Sequence, residues 1–118
     1  MDSKVILVVD DEEPVRLFVS TLLERDGYAV LLANDGKHAL EVSRHYTGEI
    51  RVLLTDYKMP QLDGLQLAAA LTDERPGIGI IIMSGNLSRP EELAGSAITV
   101  LPKPFSITQL LQAVKSMM

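Results

Sequence analysis

The chain contains no cysteine. That absence excludes disulfides, thiolate metal sites and cysteine nucleophiles, and it suits a reducing cytoplasm. A basic cluster is also missing: 11 Lys and Arg stand against 16 Asp and Glu, for a formal net charge of -5. Phosphate contacts along a nucleic acid need clustered Lys or Arg, so direct nucleic-acid binding by this segment is not expected. Long apolar runs are absent too. The opening "KVILVVDDEEP" is interrupted by acidic residues after a few positions. It is too short to span a bilayer and lacks the apolar region and small-residue cleavage site of a signal peptide. The expectation is therefore a cytoplasmic segment with no membrane contact of its own, whether or not a longer parent chain is membrane-attached. No internal repeat, linker or low-complexity stretch interrupts it.

What is present suits one folded unit. A chain of 118 residues, 47% hydrophobic, is long enough for one full core and too short for two, giving a single domain over residues 1–118. Five short runs rich in branched residues predict strands: Val5 to Val9, Ala29 to Ala33, Val52 to Thr55, Gly79 to Met83, and Thr99 to Leu101. The first and fourth are continuously apolar, as in parallel strands covered on both faces, while the second and fifth suit edges.

Helical spacing fills the intervals. From Pro14, the residues Val15, Phe18, Val19, Leu22 and Leu23 predict one apolar face buried in the core, and Gly27 closes that helix. A second helix is expected from Lys37 to Arg44, and a third from Leu65 to about Asp73, stopped by Arg75-Pro76-Gly77. A weak fourth runs from Pro90 to Ala94, and a last one begins at the capping pattern Ser106-Ile107-Thr108-Gln109. Alternating strands and helices make an α/β fold, a doubly wound open parallel sheet with helices on both faces. Its ligands bind beyond the carboxyl ends of the strands.

That edge collects unusual chemistry. The first strand ends in Asp10-Asp11, the third in Asp56, the fourth in Ser84 and the fifth in Lys103. Each residue alone reads as a cap, turn or surface residue; together, at four strand ends, they make a site. Three converging carboxylates repel one another unless a cation offsets them. A hard ion such as Mg²⁺ takes carboxylate and carbonyl oxygens and keeps waters that a phosphoryl oxygen can replace. Lys103 adds a point charge and Ser84 a hydroxyl donor, so an aspartate here is arranged to attack phosphorus. A phosphatase with an aspartate nucleophile needs a second aspartate two residues on at the first strand, and "DDEEP" lacks that spacing. His38 and His45 have no acidic partner at metal-ligand spacing, and Met59 and Met83 read as packing residues near the site.

The motifs "ILVVDDEEPVR", "LLTDYKMPQLDG", "IIIMSG" and "LPKPF", in this order and spacing, resemble the receiver domains of two-component signalling over essentially the whole chain. The resemblance implies a flavodoxin-like sheet with strand order 2-1-3-4-5. It implies that Asp56 accepts a phosphoryl group from the phosphohistidine of a histidine kinase or histidine phosphotransfer domain. It further implies Mg²⁺ held by Asp10, Asp11, Asp56 and the backbone carbonyl of Lys58. Ser84 and Lys103 would contact the phosphoryl group, Lys103-Pro104 would be a cis peptide, and Pro60 and Gly64 would shape the turn after the acceptor. Such a domain catalyses its own phosphorylation and dephosphorylation rather than turning over a foreign substrate.

Two departures stand out. The family usually has Tyr or Phe three residues before the lysine as a rotating switch, and this chain has Val100. The interval between Ser84 and Lys103 is also short. Both resemble receivers at the C-terminus of hybrid histidine kinases, or standing alone, more than those driving a DNA-binding domain. A phosphorylation-independent binding module with the same fold is the rival. The composition assigns no oligomeric state.

Overall fold

Each branched run becomes a strand. The computed structural model describes residues 3–85 and 98–118. In chain order these are β1 (Val5–Val9), α1 (Glu13–Arg25), β2 (Ala29–Ala33), α2 (Gly36–His45), β3 (Val52–Asp56), α3 (Gly64–Glu74), β4 (Gly79–Ser84), β5 (Ile98–Pro102) and α4 (Ile107–Ser116). The five strands form one parallel sheet in the order β2-β1-β3-β4-β5, with the second and fifth at the edges. The weak helix expected between Pro90 and Ala94 lies outside the described residues.

Strand alternation divides the core between two faces. Leu7, Val9, Leu53, Ile80 and Ile82 point to one side and pack with Ala39 of α2 and Leu67, Ala68 and Leu71 of α3. Ile6, Val8, Leu54, Ile81 and Met83 point to the other and pack with Val19 and Leu23 of α1 and Leu110 and Val114 of α4. Because both faces are covered, the central strands are apolar without interruption.

Helix boundaries follow local chemistry. Asp35 caps α2 by accepting from the His38 N–H. Capping boxes start α3, through Asp63 and Gln66, and α4, through Ser106 and Gln109. Each satisfies amides that a helix start leaves without partners.

One core assignment needs correction. Leu22 packs against the core as expected, but Phe18 is 53% exposed and its neighbour Leu17 48%. Successive helical residues are about 100° apart, so an arc centred on Val19 and Leu23 leaves Phe18 at its margin. The opposite margin belongs to buried Ser20, whose hydroxyl donates to the Leu17 carbonyl at 3.1 Å. Apolar spacing defined an arc wider than the sheet covers.

Arg75, just past α3, braces the edge of the sheet where the strands begin. Its Nε donates to Ser43 Oγ (2.7 Å), Nη1 to the Gly48 carbonyl (2.8 Å), and Nη2 to the carbonyls of Ser43 (2.8 Å) and Tyr46 (2.6 Å). The brace ties the end of α3 to the end of α2. Arg75→Met should lower unfolding stability by about 2 kcal/mol, because several partly buried acceptors lose a charged donor at once. Urea denaturation would check this, and a change under about 0.5 kcal/mol would contradict it.

Candidate active site

Parallel registry brings the chemistry to one level. Asp56 pairs with Met83, and Ser84 with Pro102, so the third, fourth and fifth strands end side by side. Asp10 and Asp11 follow β1 directly, and Lys103 follows β5. The sheet thereby assembles residues far apart in sequence. Asp10, Asp56 and Ser84 are buried, whereas Asp11 is exposed at the rim.

Asp10, Asp11 and Asp56 each offer a carboxylate oxygen, all within 4.8 Å of one another. Lys103 Nζ donates to Asp56 Oδ1 at 3.1 Å and lies 3.6 Å from Asp10 Oδ2. Asp56 Oδ1 also accepts from the Tyr57 N–H at 3.0 Å, and Asp10 Oδ1 accepts from the Glu12 N–H at 2.8 Å. Asp10 Oδ2 is buried with no hydrogen-bond partner among the described residues. An unpartnered buried carboxylate oxygen among converging carboxylates is what a hard divalent cation would satisfy. The donor set fits Mg²⁺.

Electrostatics agree with that fit. Burial pushes the Asp10 carboxyl above its ordinary range; the Glu12 N–H and Lys103 oppose the shift, and the charges of Asp56 and Asp11 add to it. For Lys103, burial works against the charge, but the Asp56 hydrogen bond and the charges of Asp56, Asp10 and Glu12 outweigh it and hold the ammonium above its usual value. A carboxyl raised by folding binds protons more tightly in the native state. Asp10 therefore contributes a destabilisation that grows as pH rises from the ordinary carboxylate range through its raised value, and persists at neutral pH. Asp10→Asn should stabilise the domain by about 1 kcal/mol at pH 7 without divalent cation and lose that advantage at acid pH. Thermal melts at both pH values would test it; a neutral-pH loss of stability would refute it.

The rest of the site is built by the loop after β3. Lys58 lies with Asp56, Tyr57, Ser84 and Gly85 on a cleft of about 200 Å³. It also lines a more open cleft of about 510 Å³ with Asp11, Tyr57, Met59, Pro60 and Asp63. The loop closes through the Gly64 N–H, which donates to the Tyr57 carbonyl at 2.8 Å. Gly64 approaches so closely that a Cβ there would sit 2.6 Å from the Asp56 carbonyl oxygen. Gln61 takes a positive φ of 70° in this loop, a conformation that costs a non-glycine residue roughly 1 kcal/mol.

The remaining sequence candidates fall around the site. The Lys103-Pro104 peptide is cis. Val100 is half-buried on β5 beside Ile82 and offers no ring. Met83 is core, and Met59 packs against the core with its sulfur 3.9 Å from Thr55 Oγ1. His38 and His45 belong to α2, where their ring Nδ1 atoms meet the Asn34 N–H and the Glu41 carbonyl. Sequence reasoning missed Arg16, whose Nη1 donates to the Asp10 carbonyl at 2.7 Å. A basic residue in the second turn after an acidic pair was the available signal.

Known proteins resemble this chain in sequence and fold. The family described as response regulator receiver domain matches residues 6–115. The sensor kinase CckA of Brucella abortus is 35% identical over 98% of this chain, and the response regulator MprA of Mycobacterium leprae is 36% identical over 96% of it. The matches cover 13% and 50% of those proteins, so the chain spans at most about half the length of either. The response regulator protein TrrA from Thermotoga maritima, solved in complex with Mg²⁺-BeF, superposes with a TM-score of 0.84 at 28% identity, covering 98% of this chain and 99% of that one. With its sheet order, its acidic cluster and a family match over nearly its whole length, the chain belongs to the response regulator receiver domains.

Proposed function

We propose that residues 1–118 act as one Mg²⁺-dependent phosphoacceptor unit in which Asp56 takes a phosphoryl group from a phosphohistidine. The carrying observation is the Asp56 carboxylate itself, held at Oδ1 by Lys103 and the Tyr57 N–H beside Asp10 and Asp11. An Asp56 carboxylate oxygen attacks phosphorus, the phosphorus–nitrogen bond breaks, and its electron pair returns to the imidazole, which then takes up a proton. An acyl phosphate results. Lys103 would pair with one phosphoryl oxygen and the Ser84 hydroxyl would donate to another. Mg²⁺, held by Asp10, Asp11, Asp56 and the Lys58 carbonyl, would offset the charge of the carboxylates and phosphoryl oxygens. Water attacking phosphorus opposite the Asp56 oxygen resets the domain, with Lys58 at the mouth of the cleft. The family acts as phosphoacceptor rather than as a turnover enzyme, and this reading keeps to that.

Signalling by a swinging ring is not open to Val100, which supports a relay or hybrid-kinase setting over output through an aromatic switch. The donor is a histidine kinase or histidine phosphotransfer domain, the partners of receiver domains. α1 and α4 cover the same sheet face and both begin at the site's edge, leaving Leu17, Phe18 and Ile107 exposed. Those exposed apolar side chains suit the donor's docking. Phe18→Ala should raise the half-saturating concentration of a phosphohistidine donor about tenfold, the loss of one anchoring side chain. Its rate with acetyl phosphate should be unchanged; equal effects on both donors would remove Phe18 from the docking surface.

The test of the function is intact mass after incubation with Mg²⁺ and acetyl phosphate. One phosphoryl adduct is expected, absent with EDTA and, as for an acyl phosphate, cleaved by hydroxylamine to a protein hydroxamate and inorganic phosphate. No adduct from acetyl phosphate or a phosphohistidine donor, despite measured Mg²⁺ binding, would leave the phosphorylation-independent binding module, with which Val100 is equally compatible.

A further inference from the structure

We infer that Arg16 is a positioning residue for this site, acting through the main-chain carbonyl of Asp10; the inference rests on the phosphoacceptor reading above. The Arg16 side chain is only 12% exposed. A guanidinium so shielded from water is ordinarily matched by a buried carboxylate. Among the described residues the acid that pairs with it, Glu13, is 3.8 Å away and itself 72% exposed, a weak surface pairing. The short contact is with a neutral acceptor: Nη1 donates to the Asp10 carbonyl at 2.7 Å.

That carbonyl belongs to the peptide joining Asp10 and Asp11, two of the three acidic residues of the cluster. A peptide is a rigid plane, so holding its oxygen also fixes the direction in which the chain enters Asp11. The same turn is tied by the Asp10 N–H to the Ala33 carbonyl at 3.3 Å, and by the Glu12 N–H to Asp10 Oδ1 at 2.8 Å. β2 thus holds the turn from one side and α1 from the other. Arg16 is the side-chain strut between the first helix and the acidic pair. Groups that orient metal ligands from behind act in this way: they touch neither ion nor substrate, yet set how well the ligands converge.

The effect should therefore appear in cation affinity. Titration calorimetry on the full chain should show Arg16→Gln binding Mg²⁺ about tenfold more weakly than the parent, the usual cost of losing such a supporting group. The Mg²⁺ concentration giving half-maximal phosphorylation by acetyl phosphate should rise by the same factor, while the rate at saturating Mg²⁺ stays at the parent value. Arg16→Lys, which keeps one charged donor, should fall between the two, and it carries the comparison if Arg16→Gln does not fold. Glu13→Gln should leave affinity unchanged.

Parent-like Mg²⁺ affinity in a folded Arg16→Gln, or in Arg16→Lys should Gln not fold, would overturn the inference while leaving the phosphoacceptor reading intact. An equal loss in Glu13→Gln would also overturn it, by assigning the effect to surface charge. A parent that binds Mg²⁺ yet is never phosphorylated removes the phosphoacceptor reading and this inference with it, and a parent that binds no Mg²⁺ does the same.

Discussion

Asp56→Asn should take up no phosphoryl group from acetyl phosphate under conditions where the parent is fully converted. Asparagine keeps the shape of the side chain, and its amide oxygen can accept from the Tyr57 N–H and Lys103 as Asp56 Oδ1 does. What it loses is the anionic nucleophile: an amide oxygen carries no full charge and cannot give a stable acyl phosphate. The surroundings are otherwise retained, so the loss reports on chemistry rather than on folding. Intact mass and a thermal melt on the same preparation separate the two. The variant should melt as cooperatively as the parent, since removing one of several crowded carboxylates relieves repulsion while Lys103 keeps Asp10 at 3.6 Å. A phosphoryl adduct on the Asn variant would place the acceptor on another side chain, with exposed Asp11 the first to examine.

Gly64→Val should be the most destabilising single change in the loop beyond Asp56. A Cβ at this position would meet the Asp56 carbonyl oxygen at 2.6 Å and the Tyr57 Cα at 3.1 Å, both main-chain atoms. Side chains can rotate away from a newcomer; a strand end held in registry with β4 cannot. Relief must come from moving the loop or the end of β3, at a cost of about 3 kcal/mol, the upper part of the range for forced overpacking. For a domain of this size that is a fall in melting temperature of roughly 10–15 °C. Phosphorylation at a temperature where the variant is folded should also slow, because the displaced atoms include the backbone of the acceptor. Parent-like stability and rate in Gly64→Val would show that the loop has slack.

Much of this architecture was legible in the residues. Continuous apolar runs such as Val5–Val9 identify strands covered on both faces, and the same logic placed Ala29–Ala33 at an edge. The acidic, hydroxyl and lysine residues could be grouped because parallel strands deliver their ends to one side. Phe18 was not legible, since spacing gives the phase of a helix but not the width of the sheet beneath it, and Ser20 occupies the margin an apolar count would assign elsewhere. Arg16 was hidden for another reason. A basic residue on an amphipathic helix reads as solvated, and only the fold shows its guanidinium turned back to a main-chain oxygen. The Arg75 brace was half visible: the helix stop was expected at Arg75-Pro76-Gly77, but not the carbonyls of α2 and its following loop, supplied by residues about thirty positions earlier.

The position of that brace gives the domain a mechanical direction. Arg75 stitches two helix ends together along the margin where strands enter the sheet, so this margin behaves as the spine of a bound volume. The opposite margin carries the acidic turn and the loop between Tyr57 and Gly64, held by their own short hydrogen bonds rather than by that brace. A charge arriving on Asp56, as the proposed phosphorylation would bring, would act at that opposite margin, while the brace keeps α2 and α3 from sliding past each other at the spine.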